Sequence, residues 1–267
     1  MIYFCPTPIG NLKDITKRTL EVLESVDIIA AEDTRITLKL LNSYGIKKKL
    51  ISYHKFNEKE QSKYIIDLSE DKDIAIVTDA GLPGISDPGE VLARELIKEN
   101  IDFTVLPGPN AALTALVLSG LSSEHFMFYG FLDSKSSHRK KQLESLKEFP
   151  YTMIFYEAPH RLKQTLFDIY EVLGDRKISI SREITKMYEQ TLRNTTKYFY
   201  ENFDEIKLKG EFVIVIDGYE KEEVEIDIEE LLKEKLESGM KKSQAVKEIS
   251  KEYDIPKNEV YKISLEV

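Results

Sequence analysis

The stretch with the clearest chemical purpose is residues 78–89, TDAGLPGISDPG, which follows the apolar run AIV. It holds three glycines, Gly81, Gly84 and Gly89, and two prolines, Pro83 and Pro88. Glycine admits positive φ and lets a ligand approach the main chain; proline fixes the turns around it. Such a loop suits a small-molecule cofactor held largely by backbone groups, with Asp79 and Asp87 as fixed acceptors. Three further segments share its position after an apolar run: PTPIGN at 6–11, EDTR at 32–35 and PGPNAA at 107–112. One such loop is weak evidence. Four that converge describe a site.

Convergence depends on the elements that carry the loops. Residues 2–7, 27–31, 49–52, 74–78 and 103–106 read as strands. Residues 16–25, 34–44, 58–69, 89–99 and 110–119 read as helices between or after them. Strands alternating with helices predict βα units and a mainly parallel sheet, whose ligands sit beyond the carboxyl ends of the strands. A polar break at 120–124 precedes a second alternating region. Strands are expected at 126–131, 151–156, 178–182 and 212–216, with a further one at 188–193; helices are expected at 139–148 and 161–173. The fold class is therefore α/β, with an N-terminal α/β domain at 1–120 and a C-terminal α/β domain at 121–220. A helical tail at 221–267 follows. In the tail, Asp227 with Glu230 has the form of a capping box. Ala245, Val246, Ile249 and Tyr253 fall at helical spacing; Pro256 suits a helix start, and Val260 and Ile263 continue an apolar face. That pattern is a helix-turn-helix-like hairpin. Acids nearly balance lysines in it, which favours packing over direct reading of nucleic acid.

The chain has 267 residues, 42% of them hydrophobic, enough for packed cores in more than one domain. No apolar run approaches a membrane span, and residues 1–10 lack the form of a secretory signal. A single cysteine, Cys5, fits a reducing compartment, so a cytoplasmic, non-membrane protein is expected. The formal net charge of −9 argues against coating nucleic acid through a broadly basic surface. Charge is nonetheless uneven. SKSSHRKK at 134–141 is basic, as is Lys47 to Lys49, while 220–237 is dominated by acids. The basic stretch, read as a loop, offers Arg139, Lys140 and Lys141 to RNA phosphates. No G-x-G-x-x-G follows a strand, and neither a P-loop lysine pattern, H-E-x-x-H nor a nucleophile elbow occurs. Four histidines and one cysteine give no metal-ligand spacing, so no metal is expected.

PTPIGNLKDIT, AEDTR, SYHKFNE, TDAGLPGISDPG, LPGPNAALTALVLSGL, FYEAPHRL, SREITKMYE and GEFVIVI occur in this order. Together they resemble the ribosomal RNA small subunit methyltransferase I family, a branch of the tetrapyrrole methylase superfamily. The likeness runs from Pro6 to about Ile216 and extends more loosely into the helical tail. Asn110 departs from it, since many relatives carry a small serine-like residue there. The resemblance implies two α/β domains with S-adenosylmethionine in the cleft between them. It also implies methylation of the 2′-hydroxyl of a cytidine in the decoding region of 16S ribosomal RNA, within the 30S subunit, by a homodimer.

On that reading the cofactor meets Asp79, Ala80, Gly81, Pro83, Ile85, Ser86 and Asp87, with Pro8 and Ile9 nearby. Tyr156 and the segment from Gly210 to Phe212 are expected as walls near the adenine. A ribose hydroxyl is a poor nucleophile, so a base or a cation beside the developing alkoxide would help. Glu32, Asp33 and Arg35 offer one such set; Glu157, His160 and Arg161 offer another, and Arg182 with Glu183 a third. Each set could equally be a structural ion pair, and the residues alone leave the general base open. Two rival functions remain: a tetrapyrrole small-molecule methyltransferase of the same superfamily, and a non-enzymatic nucleic-acid-binding module built on the tail.

Overall fold

The computed structural model describes residues 1–220, 227–253 and 255–266. The chain divides into two compact units, Met1–Tyr219 and Glu220–Val267. The larger unit begins with β1 (Ile2–Phe4), α1 (Lys17–Ser25), β2 (Ile28–Ala31), α2 (Thr34–Ser43), β3 (Lys49–Ser52), α3 (Glu58–Ser69), β4 (Ile74–Val77), α4 (Glu90–Lys98) and β5 (Phe103–Val105). These strands form one sheet in the order β3-β2-β4-β1-β5, with every neighbouring pair parallel. The central strands β2 (IIAA) and β4 (IAIV) are buried along their whole length. A parallel sheet covered by helices on both faces requires such unbroken apolar runs. Cys5, Leu23, Ile29, Ala75 and Val77 lie in one apolar cluster, and Ile2, Phe4, Ala30, Ile65, Ile76 and Leu92 in another. The carboxyl ends of the strands all face one way, so the loops after β1, β2 and β4 open at one end of the sheet.

The second sheet is built from β6 (Phe126–Phe131), β7 (Thr152–Glu157), β8 (Lys177–Arg182), β9 (Gln190–Thr195) and β10 (Phe212–Ile216). Its order is β6-β7-β10-β8-β9. Only β6 and β7 run parallel; β10 is antiparallel to both β7 and β8, and β8 and β9 form an antiparallel hairpin. Between these strands lie α6 (Ser136–Glu144), α7 (Leu162–Leu173) and α8 (Thr196–Glu201). The strand expected at 188–193 sits two residues later, because 183–189 are consumed by the hairpin turn.

Two elements depart from expectation. The helix expected at 139–148 instead starts at Ser136, so the basic stretch is helix and not loop. The second departure is α5 (Ala111–Ser119), which falls inside the first segment by chain order but packs on β7, β8, β9 and β10. Ala112, Ala115 and Leu116 meet Ile154, Ile184, Val213 and Val215 there. The chain therefore crosses from the first sheet to the second before residue 120. An almost wholly apolar helix, AALTALVLS, gains most from the sheet face that covers it best.

Among the described residues the smaller unit holds three helices, α9 (Ile228–Glu237), α10 (Lys242–Glu252) and α11 (Lys257–Ser264). Leu232, Ala245, Val246, Ile249 and Val260 form their core. The Asp227 side chain accepts a hydrogen bond from the Glu230 amide (3.0 Å), half of the expected capping box. Pro256 caps α11, as its fixed φ favours. Asp254, in the expected break between α10 and α11, and part of the acidic run, 221–226, lie outside the described residues.

Candidate functional site

The loops after β1 and β4 are joined by a short antiparallel bridge. The Thr7 amide donates to Gly81 O (2.9 Å) and the Gly81 amide to Thr7 O (3.0 Å). Thr7 Oγ1 donates to Thr78 O as well (3.1 Å). Gly81 needs its glycine, since it sits at φ +81°. Gly89 is tighter still: a Cβ there would lie 2.8 Å from Gly84 N, at φ +140°. Ser86 also holds a positive φ, 65°, without being glycine, and such strain concentrates in functional loops. The loop after β2 joins the set through two crossed contacts. The Asp79 amide donates to Glu32 Oε2 (3.3 Å), and the Asp33 amide to Asp79 Oδ1 (3.1 Å).

The second sheet closes the other side. Gly130, at φ +82° beside an irregularity in the β6–β7 pairing, comes so near that a Cβ would sit 3.3 Å from Ser86 Oγ. A cavity of about 530 Å³ lies between these parts. The first-sheet loops supply Ile9, Glu32, Asp79, Ala80, Gly81, Leu82, Ile85, Ser86 and Asp87 to its wall, and Asn110 at the start of α5 adds to them. Phe131, Tyr156, Glu157, Glu183, Lys186, Glu211 and Phe212 face it from the second sheet and its turns. Asn110 accepts a hydrogen bond from the Leu113 amide (3.0 Å), capping α5. Serine caps a helix equally well.

Electrostatically the cavity is acidic. Asp87 is pushed up to about 7, chiefly by burial and then by the charges of Glu32, Asp79 and Glu211. Burial likewise raises Glu32 and Asp79, partly opposed by the backbone hydrogen bond each accepts. Tyr156 is raised to about 12, again mainly by burial. Among the described residues no ion pair engages Glu32, Asp79, Asp87 or Glu211. A site that crowds unpaired carboxylates in this way is built for a cation. S-adenosylmethionine carries a sulfonium and an ammonium, together with a flat adenine that suits the apolar wall of Ile9, Ile85, Tyr156 and Phe212. The residues present fit that group, and the cavity falls within the usual range for small-molecule sites.

Not every residue expected in the site reaches it. Pro8, Pro83 and Gly210 stand behind the wall. Pro83 is buried, and Gly210 is covered by Glu183, whose Oε1 lies 2.0 Å from where a Cβ would be. Asp33 caps α2 and grips Arg35 in a fork, with Nη2–Oδ2 at 2.6 Å and Nε–Oδ1 at 3.0 Å. Hydrogen bonds from Arg35 hold the Asp33 carboxyl well below the usual range. The Arg35 side chain is 86% exposed and does not line the cavity. Glu157 lines it but is committed elsewhere. Thr165 Oγ1 donates to its Oε2 (2.5 Å), and Arg161 Nε lies 3.1 Å from its Oε1. Arg161 also donates to Leu132 O (2.6 Å), so this pair fastens α7 to β7. His160 is exposed and outside the wall.

The basic stretch requires a correction. Arg139, expected to meet RNA phosphates, is 1% exposed, and its Nη2 lies 2.5 Å from Asp168 Oδ2 of α7, itself 1% exposed. Lys140 is drawn to Glu171 (2.6 Å) and Asp168 (3.8 Å). Only Lys141 is exposed. Helical spacing turns Arg139 inward against α7, which a reading of charge density alone misses. Sequence reasoning passed over Phe131 and Lys186, and reached Glu211 only as the middle of the segment from Gly210 to Phe212. Their one signal was position at strand ends or in the turn after β8.

Comparison with known proteins agrees with this architecture. The family model for Tetrapyrrole (Corrin/Porphyrin) Methylases matches residues 1–199. Ribosomal RNA small subunit methyltransferase I of Bacillus subtilis (strain 168) is 44% identical over 98% of this chain and 92% of its own length. The protein of the same name from Synechocystis sp. is 42% identical over 100% of this chain and 98% of its own. Among solved structures, a diphthine synthase superposes with a TM-score of 0.63 at 14% identity, covering 81% of this chain and 89% of that one. A uroporphyrin-III C-methyl transferase from Thermus thermophilus complexed with S-adenyl homocysteine gives 0.58 at 13%, covering 81% and 96%. At such identities these structures speak for the fold alone. On the family match and the identity across nearly its whole length, the chain belongs to the ribosomal RNA small subunit methyltransferase I family of the tetrapyrrole methylases.

Proposed function

We propose that this chain methylates the 2′-hydroxyl of a cytidine ribose in 16S ribosomal RNA of the small subunit, with S-adenosylmethionine as donor. The observation that carries the reading is the acidic cavity itself, made by the loops that hold the family's motifs. S-adenosylmethionine supplies an electrophilic methyl group on a positively charged sulfur. The chain's own part is to hold that cation among Glu32, Asp79 and Asp87, to exclude water with Ile9, Ile85 and Tyr156, and to bring a ribose oxygen into line. Of the eight residues expected to move protons or steady charge, Glu32 alone both lines the cavity and lacks an ion pair among the described residues. Burial raises its pKa toward the range a general base needs. Glu32→Gln should therefore lose methyl transfer by far more than it loses cofactor affinity.

Self-association is part of the reading. Leu113 and Val117, four residues apart on α5, are 49% and 79% exposed, an apolar face a second copy would cover. Sedimentation velocity of the full chain reads this directly. The decisive experiment for the activity is incubation of unmodified 30S subunits with the protein and isotopically labelled S-adenosylmethionine, followed by mass mapping of the RNA. One 2′-O-methyl cytidine in 16S RNA is the expected product. Methylation of a tetrapyrrole with none of 30S subunits would overturn the proposal.

A further inference from the structure

A second cavity, of about 310 Å³, is lined by Arg182, Glu183, Tyr188, Lys207 and Lys209. It shares Glu183 with the acidic cavity, so the two adjoin. Their charges are opposite. Among the described residues Glu183 is the only carboxylate in the second wall, and Lys186 Nζ already holds its Oε1 at 2.9 Å. Among the described residues, neither Arg182, Lys207 nor Lys209 has a carboxylate oxygen within 4.0 Å. Three unneutralised cations gathered in one hollow are unexpected in a chain of net charge −9.

The side chains are prepared for a ligand. Arg182 is 8% exposed, and its Nε donates to Gln190 Oε1 (2.9 Å), which sets the plane of the guanidinium. Among the described residues its Nη1 and Nη2 donate to no protein acceptor, and a fork held this way suits a phosphate. Tyr188 is 65% exposed despite lining a cavity, so one ring face is free to stack. The turn that carries it is held by its own hydrogen bonds. Thr185 N donates to Glu189 Oε2 (2.6 Å), Lys186 N to Glu183 O (3.0 Å) and Glu189 N to Lys186 O (3.1 Å). Glu183 and Thr185 sit at φ +51° and +67°, strain that a β-branched residue rarely bears without a functional return. The opposite wall is keyed to the first. Gly210, at φ +87°, leaves the space that Glu183 fills, and Lys209 N donates to Lys207 O (2.9 Å) in a tight turn.

We propose that this hollow binds a phosphate and a stacked base of single-stranded RNA next to the reacting ribose. The proposal rests on the RNA-methylating reading above. Its physical need is plain. A ribose 2′-hydroxyl lies close to its own phosphodiesters, and a cavity walled by Glu32, Asp79 and Asp87 repels them. An adjoining cationic hollow holds the phosphates off the carboxylates while the hydroxyl enters. Tyr188 gives a base a stacking face that any sequence can use.

The test compares the wild type with Lys207→Ala/Lys209→Ala, Tyr188→Ala and Tyr188→Phe. Three quantities are read: S-adenosylmethionine affinity by calorimetry, affinity for a labelled single-stranded RNA oligonucleotide across a salt series, and the KM for 30S subunits. The double variant should keep cofactor affinity within about twofold, because neither lysine touches the acidic cavity. Its RNA affinity should fall roughly tenfold or more, and the slope of log K against log salt should shrink by about 1.4, two single-strand phosphate contacts. Tyr188→Ala should lose RNA affinity by roughly tenfold, and Tyr188→Phe should retain it, because stacking needs the ring and not the hydroxyl. Unchanged RNA affinity and salt slope in the folded double variant overturn the proposal. Weaker 30S binding with unchanged affinity for naked RNA overturns it too, and gives the hollow to a ribosomal protein. If the wild type leaves 30S subunits unmethylated, the activity reading fails on that result, while the oligonucleotide series still decides the hollow.

Discussion

Two charged regions of this protein look alike as text and behave as opposites in space. In the acidic cavity, Glu32, Asp79 and Asp87 crowd together without ion pairs among the described residues, and burial lifts the pKa of each. In the seam between α6 and α7, Asp168 is more deeply buried and fully served. Arg139 Nε donates to its Oδ2 (2.7 Å), and Ser136 Oγ and Gln164 Nε2 donate to its Oδ1 (3.0 and 3.2 Å). The seam has spent its charge on holding two helices together. The cavity keeps its charge in reserve for something that arrives from outside. On the proposed reading, carboxylates without an ion-pair partner mark the cofactor site, and paired ones mark architecture.

The largest effect should come from breaking the seam. Arg139→Ala leaves the buried Asp168 with only the more distant Lys140 (3.8 Å) as a cationic partner, and should cost about 3 kcal/mol of stability by chemical denaturation. Replacing both partners by Met and Leu should recover much of that loss, since a buried pair is worth little more than good apolar packing. If Arg139→Ala is as stable as the wild type but binds RNA weakly, the seam is a binding site and the contrast collapses.

On the cavity side, Gly81→Val should leave the fold and lower S-adenosylmethionine affinity by roughly tenfold or more. Valine resists φ +81°, and its side chain would enter the space beside Ile9. Calorimetry measures this, and near-wild-type affinity would remove the 78–89 loop from the site.

A smaller effect attaches to pH. With Asp87 raised to about 7 from an unfolded value near 3.8, the folded state holds the extra proton between those values. The contribution of Asp87 to the stability of the free protein therefore falls as pH rises from about 4 to 7 and then levels off. Asp87→Asn should abolish that slope and leave the variant more stable above pH 7, on the order of 1–2 kcal/mol once solvent screening is allowed for. A cationic cofactor reverses the sense for binding. Its affinity should rise with pH through about 7 in the wild type, and titrations across pH 5.5–8.5 should be flatter in Asp87→Asn. A pH-independent wild-type affinity would show that the carboxylates do not face the cation.

The smallest change in stability is expected at Arg35. Its fork with Asp33 is exposed and sits outside the cavity wall, so Arg35→Lys and Arg35→Ala should shift the melting temperature least of all these variants. A large loss of methyl transfer to 30S subunits in Arg35→Ala, with cofactor affinity intact, would bring Arg35 into contact with RNA in the complex.

The first sheet was legible from the order of residues. IIAA and IAIV are unbroken apolar runs, a pattern that a two-faced buried parallel strand demands. The loops after them were legible for the same reason: a parallel strand order sends every carboxyl end to one side, and glycine and proline announce where the chain must bend. Asp79, Asp87 and Glu32 could thus be named together before any coordinate. Side-chain partnership could not. Arg139 and Lys141 are neighbours in one basic run, but helical geometry turns one into the α7 seam and leaves the other in water. Glu157 and Arg161 read as candidate chemistry until Thr165 and the Leu132 carbonyl were found to claim them. The hollow that gathers Arg182 and Tyr188 with Lys207 and Lys209 joins two segments separated along the chain by β9 and α8. Local sequence specifies backbone conformation through sterics and periodicity. Which charge meets which is settled only when distant segments pack, because an electrostatic partner is defined by distance and burial and not by order along the chain.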